Sequence, residues 1–286
     1  MLAIVGFVIV TISVIVGFIL EGGKLLVLFQ PAEFLIIGGC ALGSLLVMSP
    51  IKVVKQMITQ ITGILGSPPT KETYIELLVM LYEIFQAARK DGLVAMESHI
   101  ERPDESKILT KYPDFLANHH LLSFFVDTMR LILSGGVPAY DLEALIDTDL
   151  ETHHEDKAKP PEMVSKVADA LPGYGIVAAV LGVVITMGAI GGPPEVIGHK
   201  VGAALVGTFL GILLSYGFVG PLATNMMVMN SEKAQLYTVI KQALLGFHKG
   251  MAPSIAVEFA RRSITSDSRP GFIELEEACK AARDKG

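Results

Sequence analysis

The sequence predicts an all-α, polytopic membrane protein with four transmembrane helices and a helical cytoplasmic domain between spans two and three, on three grounds. About half of the 286 residues (51%) are hydrophobic and there is no tryptophan; with a positive mean hydropathy, this separates the chain from ordinary soluble domains. Four apolar runs are long enough to cross a hydrocarbon core of about 30 Å, which takes roughly 20 helical residues. The intervening segments repeat apolar residues at helical spacing, and no strand-like alternation competes with them.

The first run, Leu2–Leu20, could be mistaken for a signal peptide. It has no Lys or Arg before Lys24 and no small-x-small cleavage site after it, so it reads as a retained anchor. The second, Ala32–Ser49, is short and completes a hairpin over 1–49. Residues 50–172 read as a helical loop domain. In "TYIELLVMLYEIFQAARKDG", Tyr74, Leu77, Leu78, Leu81, Phe85 and Ala88 recur at helical spacing and Gly92 supplies a stop. "HHLLSFFVDTMRLILSGG" is a second amphipathic helix ended by paired glycines, and Pro138 opens a third, acidic one. Pro161 is expected to start a helix running through "EMVSKVADA" into the third span, Gly173–Gly191. The fourth span, Lys200–Met226, completes a second hairpin over 173–226. In the tail, 227–286, Asn230 or Ser231 is expected to cap "EKAQLYTVIKQALLGF". Pro270 opens a last helix whose acids precede its bases, as the helix dipole favours.

Of 23 Lys and Arg, only Lys24 and Lys200 lie outside the two long charged segments, which places both termini and the loop in the cytoplasm. A net charge of −6 argues against a nucleic-acid partner, which would need a concentrated basic surface. Cys40 and Cys279 form neither a disulfide framework nor a metal-ligand spacing. Neighbours in a helix point about 100° apart, so His119–His120 and His153–His154 read as surface residues rather than ligand pairs. No Ser-His-Asp order or phosphate-binding loop points to an enzyme, and no cofactor is implied.

Within the membrane, Gly175, Ala179, Gly182 and Thr186 share one helical face, and Ala204, Thr208, Gly211 and Ser215 form a parallel stripe. Such stripes allow close helix packing; they also suit a narrow, weakly polar passage, and spacing alone does not separate the two. Pro172 and Pro221 would free the carbonyls of Ala168 and Gly217 and bend their helices at one depth. No charged residue or histidine occurs well within the spans; Glu21, Glu33 and Glu195, near the periplasmic boundaries, could attract cations but read better as solvated rim charges. Translocated charge needs a partner in low dielectric, so either the chain conducts nothing or another polypeptide supplies the ionisable group.

The stretch "ALVGTFLGILLSYGFVGP" (204–221) resembles the signature of the MotA family of flagellar stator subunits. "FQPAE" (29–33), "LPGYGIVAAVLG" (171–182), "PSIAVEFARR" (253–262) and "RPGFIELEE" (269–277) are collinear with it, so the likeness spans the chain. The resemblance implies a ring of such chains, a pentamer, in the bacterial inner membrane and its lipid. The ring would surround two copies of a single-span MotB-like partner that supplies a membrane aspartate. Ion passage would move the ring, and the loop would push the rotor protein FliG through Arg89 and Glu97, with Lys90 either sharing the role of Arg89 or only enlarging its basic patch. By the same resemblance Pro172 and Pro221 couple conduction to movement, and Thr208 lines the ion path with Ala179 and Thr186 nearby. Where the sodium-driven branch places a threonine hydroxyl, this sequence has Ala179, and Gly207 beside Thr208 adds no oxygen. That favours the proton over sodium, which needs several oxygen ligands. A TolQ- or ExbB-like subunit and a non-conducting scaffold are the alternatives.

Overall fold

The computed structural model describes residues 2–64, 66–188 and 190–285, with side chains as far as Arg283. Met1, Leu65, Ala189 and Gly286 lie outside the described residues, so the expected third span is described only up to Gly188 and again from Ile190. All regular structure among the described residues is helical. Four helices are long and apolar enough to cross a membrane: Leu2–Leu20, Leu25–Met48, Ala139–Met187 and Pro194–His248. The chain divides into two compact units, Met1–Gly66 with Lys157–Asn230, and Ser67–Asp156 with Ser231–Gly286.

The first unit holds α1 (Leu2–Leu20), α2 (Pro31–Met48) and α3 (Ile51–Gly63), the later part of α8 (Ala139–Met187), α9 (Pro194–Ile212) and the start of α10 (Gly220–His248). Helix α1 buries none of its side chains, which leaves an apolar surface suited to lipid or to other chains. The interior consists of two small apolar clusters. One joins Leu45, Met57, Ile64, Val164, Ala223 and Met226, the other Ile37, Leu171, Ala178, Val206 and Leu210.

Two expected helix boundaries are absent. Pro161 does not start a helix, because α8 carries Pro160, Pro161 and Pro172 in its interior. Asn230 and Ser231 cap nothing, because α10 runs through them. One carbonyl explains both corrections. Proline removes the N–H that would bond the carbonyl four residues back, which for Pro161 belongs to Lys157. That oxygen instead accepts from Gln60 Nε2 at 3.2 Å and from Asn230 Nδ2 at 2.8 Å, while Asn230 Nδ2 also lies 3.0 Å from Gln60 Oε1. With its orphan acceptor satisfied, the helix passes through the proline unbroken.

This arrangement makes a measurable prediction. Asn230→Leu should destabilise the full chain by about 1 kcal/mol, the usual net worth of a hydrogen bond. In a Pro161→Ala background the same change should cost much less, because alanine's N–H can take over the Lys157 carbonyl. Thermal unfolding of both single variants and the double variant measures the coupling. Equal losses in the two backgrounds would refute it.

The second unit packs α4 (Lys71–Asp91), α5 (Leu93–Glu101), α6 (Pro113–Ala117), α7 (His119–Ser134), the first part of α8, the end of α10, α11 (Pro253–Arg262) and α12 (Phe272–Lys285). Thr70 caps α4, accepting from the Thr73 N–H at 3.4 Å while Thr73 Oγ1 accepts from the Thr70 N–H at 3.2 Å. Leu78, Met80, Leu81, Ile84 and Phe85 are fully enclosed, and Phe85 stacks on Phe247 with ring centroids 4.5 Å apart. Gly92 ends α4 as expected, with φ of +87° that only glycine adopts freely. Helix α5 follows at once. It has only Met96 and Ile100 as buried positions, too few to show a period in the sequence. His153 is half-buried rather than on the surface, its ring 4.6 Å from that of Tyr237 and 6.4 Å from that of His120.

Candidate functional site

The small residues of the two membrane stripes meet where α8 crosses α9. A Cβ added to Gly211 would lie 2.6 Å from the Leu171 carbonyl oxygen and 2.9 Å from Gly175 Cα. On Gly175 it would lie 2.7 Å from Gly207 O, and on Gly182 2.7 Å from Ala204 Cβ. Backbones this close leave no room for side chains, so Gly175, Gly182, Ala204 and Gly211 serve helix packing.

Thr208 and Ala179 lie at the same crossing and are both half-buried. A Cβ on Gly175 would come within 3.3 Å of Thr208 Cα, and one on Gly207 within 3.2 Å of the Ala179 nitrogen. Thr186 is buried further along α8, and its hydroxyl donates to Gly182 O at 2.8 Å. That hydrogen is committed to the thread of its own helix, leaving the oxygen's lone pairs as acceptors.

Glu33 corrects the sequence reading of a solvated rim charge. It occupies the first turn of α2, is only 7% exposed, and its Oε2 has no hydrogen-bond partner among the described residues. The same oxygen lies where a Gly207 side chain would be, 2.5 Å from the Cβ position, beside Ala178 Cβ and the Ala179 nitrogen. Gly207 thus adds no oxygen of its own yet admits that of Glu33. The two residues are far apart in sequence, so spacing carried no sign of their meeting. The only hint was an acid at the head of an apolar run.

Pro172 is half-buried within α8, and Pro221 is exposed in the first turn of α10. Between α9 and Pro221 the helix widens into a π segment, Leu213–Val219, in which the Gly220 N–H bonds Ser215 O. A ladder already shifted to i−5 spacing meets the missing N–H of Pro221 differently from the simple bend the sequence suggested, and π segments mark functional positions in many helices. Gly220 faces α8, where a Cβ would lie 4.0 Å from Ala168 Cβ. Ala168 is the residue whose carbonyl Pro172 frees, so the two proline joints adjoin.

Arg89 and Lys90 are exposed in the last turn of α4, and Glu97 is exposed on α5 just past the Gly92 turn. None of the three has an ion-pair partner among the described residues. Their neighbours differ: Arg130 binds Glu101 through two bonds of 2.8 and 2.9 Å and also reaches Asp127 at 3.1 Å. Glu97 opens onto a hollow also lined by His99, Arg102, Ser106 and Lys107. There the Ser106 oxygen accepts from the Ile108 and Leu109 amides at 3.3 and 3.1 Å, which directs its hydrogen to His99 Nδ1, 2.7 Å away. Burial holds the His99 imidazole below its ordinary value, in keeping with that neutral acceptor role.

Family profiles match two stretches of the chain: Motility protein A N-terminal over residues 4–92, and the MotA/TolQ/ExbB proton channel family over 117–238. Motility protein A of Salmonella typhimurium is 41% identical over 285 residues, spanning 99% of this chain and 97% of that protein. The Escherichia coli protein of the same name matches with the same identity and coverage. Among solved structures, that of C. jejuni MotAB superposes with a TM-score of 0.76 at 22% identity, covering 93% of this chain and 96% of that one. It is a likeness of fold.

Proposed function

This chain belongs to the MotA family, and on that premise we propose that it is the stator subunit of a bacterial flagellar motor, converting ion-motive force into torque. It works with a MotB-like single-span partner in a ring, a pentamer, embedded in the lipid of the inner membrane. Both termini are cytoplasmic, in keeping with the Lys and Arg distribution. The match to the Motility protein A N-terminal profile over 4–92 favours the flagellar branch over a TolQ- or ExbB-like role. The observation that carries the reading is the α8–α9 crossing. It holds the half-buried Thr208 against small, neutral residues, so α8 and α9 bring no charged side chain to the crossing itself, and the ionisable group comes from the partner's aspartate.

Reconstitution in liposomes tests this. The chain alone should be silent, and co-reconstitution with a single-span, aspartate-bearing partner should give ion flux. Robust selective flux from the chain alone, or none from the pair, would overturn the reading. The ion is the proton. Ala179 contributes a methyl group where sodium would need another oxygen. Swimming speed should stay flat against external sodium at fixed pH and collapse with a protonophore; a speed rising from near zero with sodium would show the opposite.

Arg89, Lys90 and Glu97 engage the rotor protein FliG across a wet, transient contact. Exposed pairs of this kind are worth roughly 1 kcal/mol or less each. Alanine at Arg89 or Glu97 should therefore slow swimming only modestly. Charge reversal should harm more, with partial rescue by reversing the rotor charge. Full motility in both reversal variants would remove these residues from the interface.

A further inference from the structure

A carboxyl group taken out of water must be compensated, because an isolated buried charge is far more costly than a hydrogen-bonded or neutralised one. Glu33 is 7% exposed, and its Oε2 is without a hydrogen-bond partner among the described residues. That oxygen occupies the space left by the missing side chain of Gly207, 2.5 Å from where a Cβ would stand, with Ala178 Cβ and the Ala179 nitrogen 3.1 and 3.2 Å from the same point. Among the described residues, the surrounding elements bring no charged group to that depth. Helix α9 carries Glu195, His199 and Lys200 only in its first two turns, α8 has only Tyr174 as a titratable residue between Asp169 and Met187, and the turn Leu25–Leu28 has none. Lys24 and Glu21 lie before that turn, and α1 carries no titratable side chain. Such a carboxyl group is satisfied by binding a cation, and the smallest is a proton.

We propose that Glu33 is an ion-binding residue of this chain, taking up the transported proton on its carboxylate beside the α8–α9 crossing and releasing it toward the partner's aspartate. The step is a plain protonation: the carboxylate gains H⁺ to become the carboxylic acid, then returns it. Two features of the site support it. Its place in the first turn of α2 lets the helix N-terminus stabilise the anionic form after release. Its contact with Gly207 sets it beside the residue that precedes Thr208 in sequence, at the helix crossing on which the stator reading rests. Gly207 then has a purpose of its own, since any side chain there would displace the carboxyl group.

This inference rests on the proton-driven stator reading, and two measurements keep the two apart. Infrared titration of the full chain in lipid vesicles, without partner, should show a carboxylic-acid stretch whose titration is absent from Glu33→Gln. No difference between the two chains would overturn the proposal whatever the motor does. In cells, swimming speed against external pH should shift its half-maximal proton concentration several-fold in Glu33→Gln and less in Glu33→Asp, which keeps the carboxyl group. A uniformly lower speed with unchanged pH dependence would make Glu33 a packing residue and overturn the proposal. Should Glu33→Gln fail to reach the membrane, Glu33→Asp read against Gly207→Ala decides. Both should shift the pH dependence, the first by shortening the side chain and the second by crowding it, and an unshifted profile in both would refute the idea.

Discussion

Leucine in place of Pro172 or Pro221 is expected to stop flagellar rotation while leaving membrane insertion and partner binding intact. Each proline withholds an N–H from its helix, and the two joints adjoin through Ala168 and Gly220. Leucine restores the donor. A proline within a helix is disfavoured by about 3 kcal/mol relative to a good helix former, so the substitution should bias the joint toward its straight form by roughly a hundredfold. If ion passage moves the ring by flexing these joints, that bias is enough to stall it. At Pro221 leucine can be accommodated, since the position is exposed, and the neighbouring π segment could relax toward regular α spacing. Tethered-cell rotation, membrane protein level and co-purification with the partner are the three readouts. Loss of the protein from the membrane would make the prolines structural, and normal rotation would remove them from the mechanism.

Valine at Gly175 or Gly211 should have an effect as large, and of a different kind. The added Cβ at Gly211 would meet a carbonyl oxygen at 2.6 Å and Gly175 Cα at 2.9 Å, both backbone atoms that cannot rotate away. Overpacking typically costs about 1–3 kcal/mol. Lipid offers no hydrophobic drive to hold the helices together once small-residue packing is lost. The variants should give little detergent-soluble, cooperatively unfolding protein. Gly202→Val is the control, because nothing lies within 4 Å of a Cβ there. Equal yield and thermal stability in Gly211→Val and Gly202→Val would show that the crossing tolerates separation.

The amino-acid order by itself determined the helical class, the four apolar spans and the ends of α4 and α7. Hydrophobic length, 3.6-residue periodicity and glycine are local properties, and Gly92, Gly135 and Gly136 indeed take positive φ where those helices stop. Collinear motifs likewise disclosed the family and, through it, the candidate roles of Thr208, Arg89 and Glu97. What tertiary structure decided is the fate of individual polar groups. Pro161 reads as a helix start until Gln60 and Asn230 are seen to satisfy the carbonyl it frees. Glu33 reads as a solvated rim charge until Gly207 is seen to make room for its oxygen between helices. A proline breaks a helix or passes within one, and a carboxyl group is hydrated or enclosed, according to whether a distant segment supplies a partner or excludes water at that atom. That outcome depends on packing between residues far apart in the chain, and local periodicity holds no record of it.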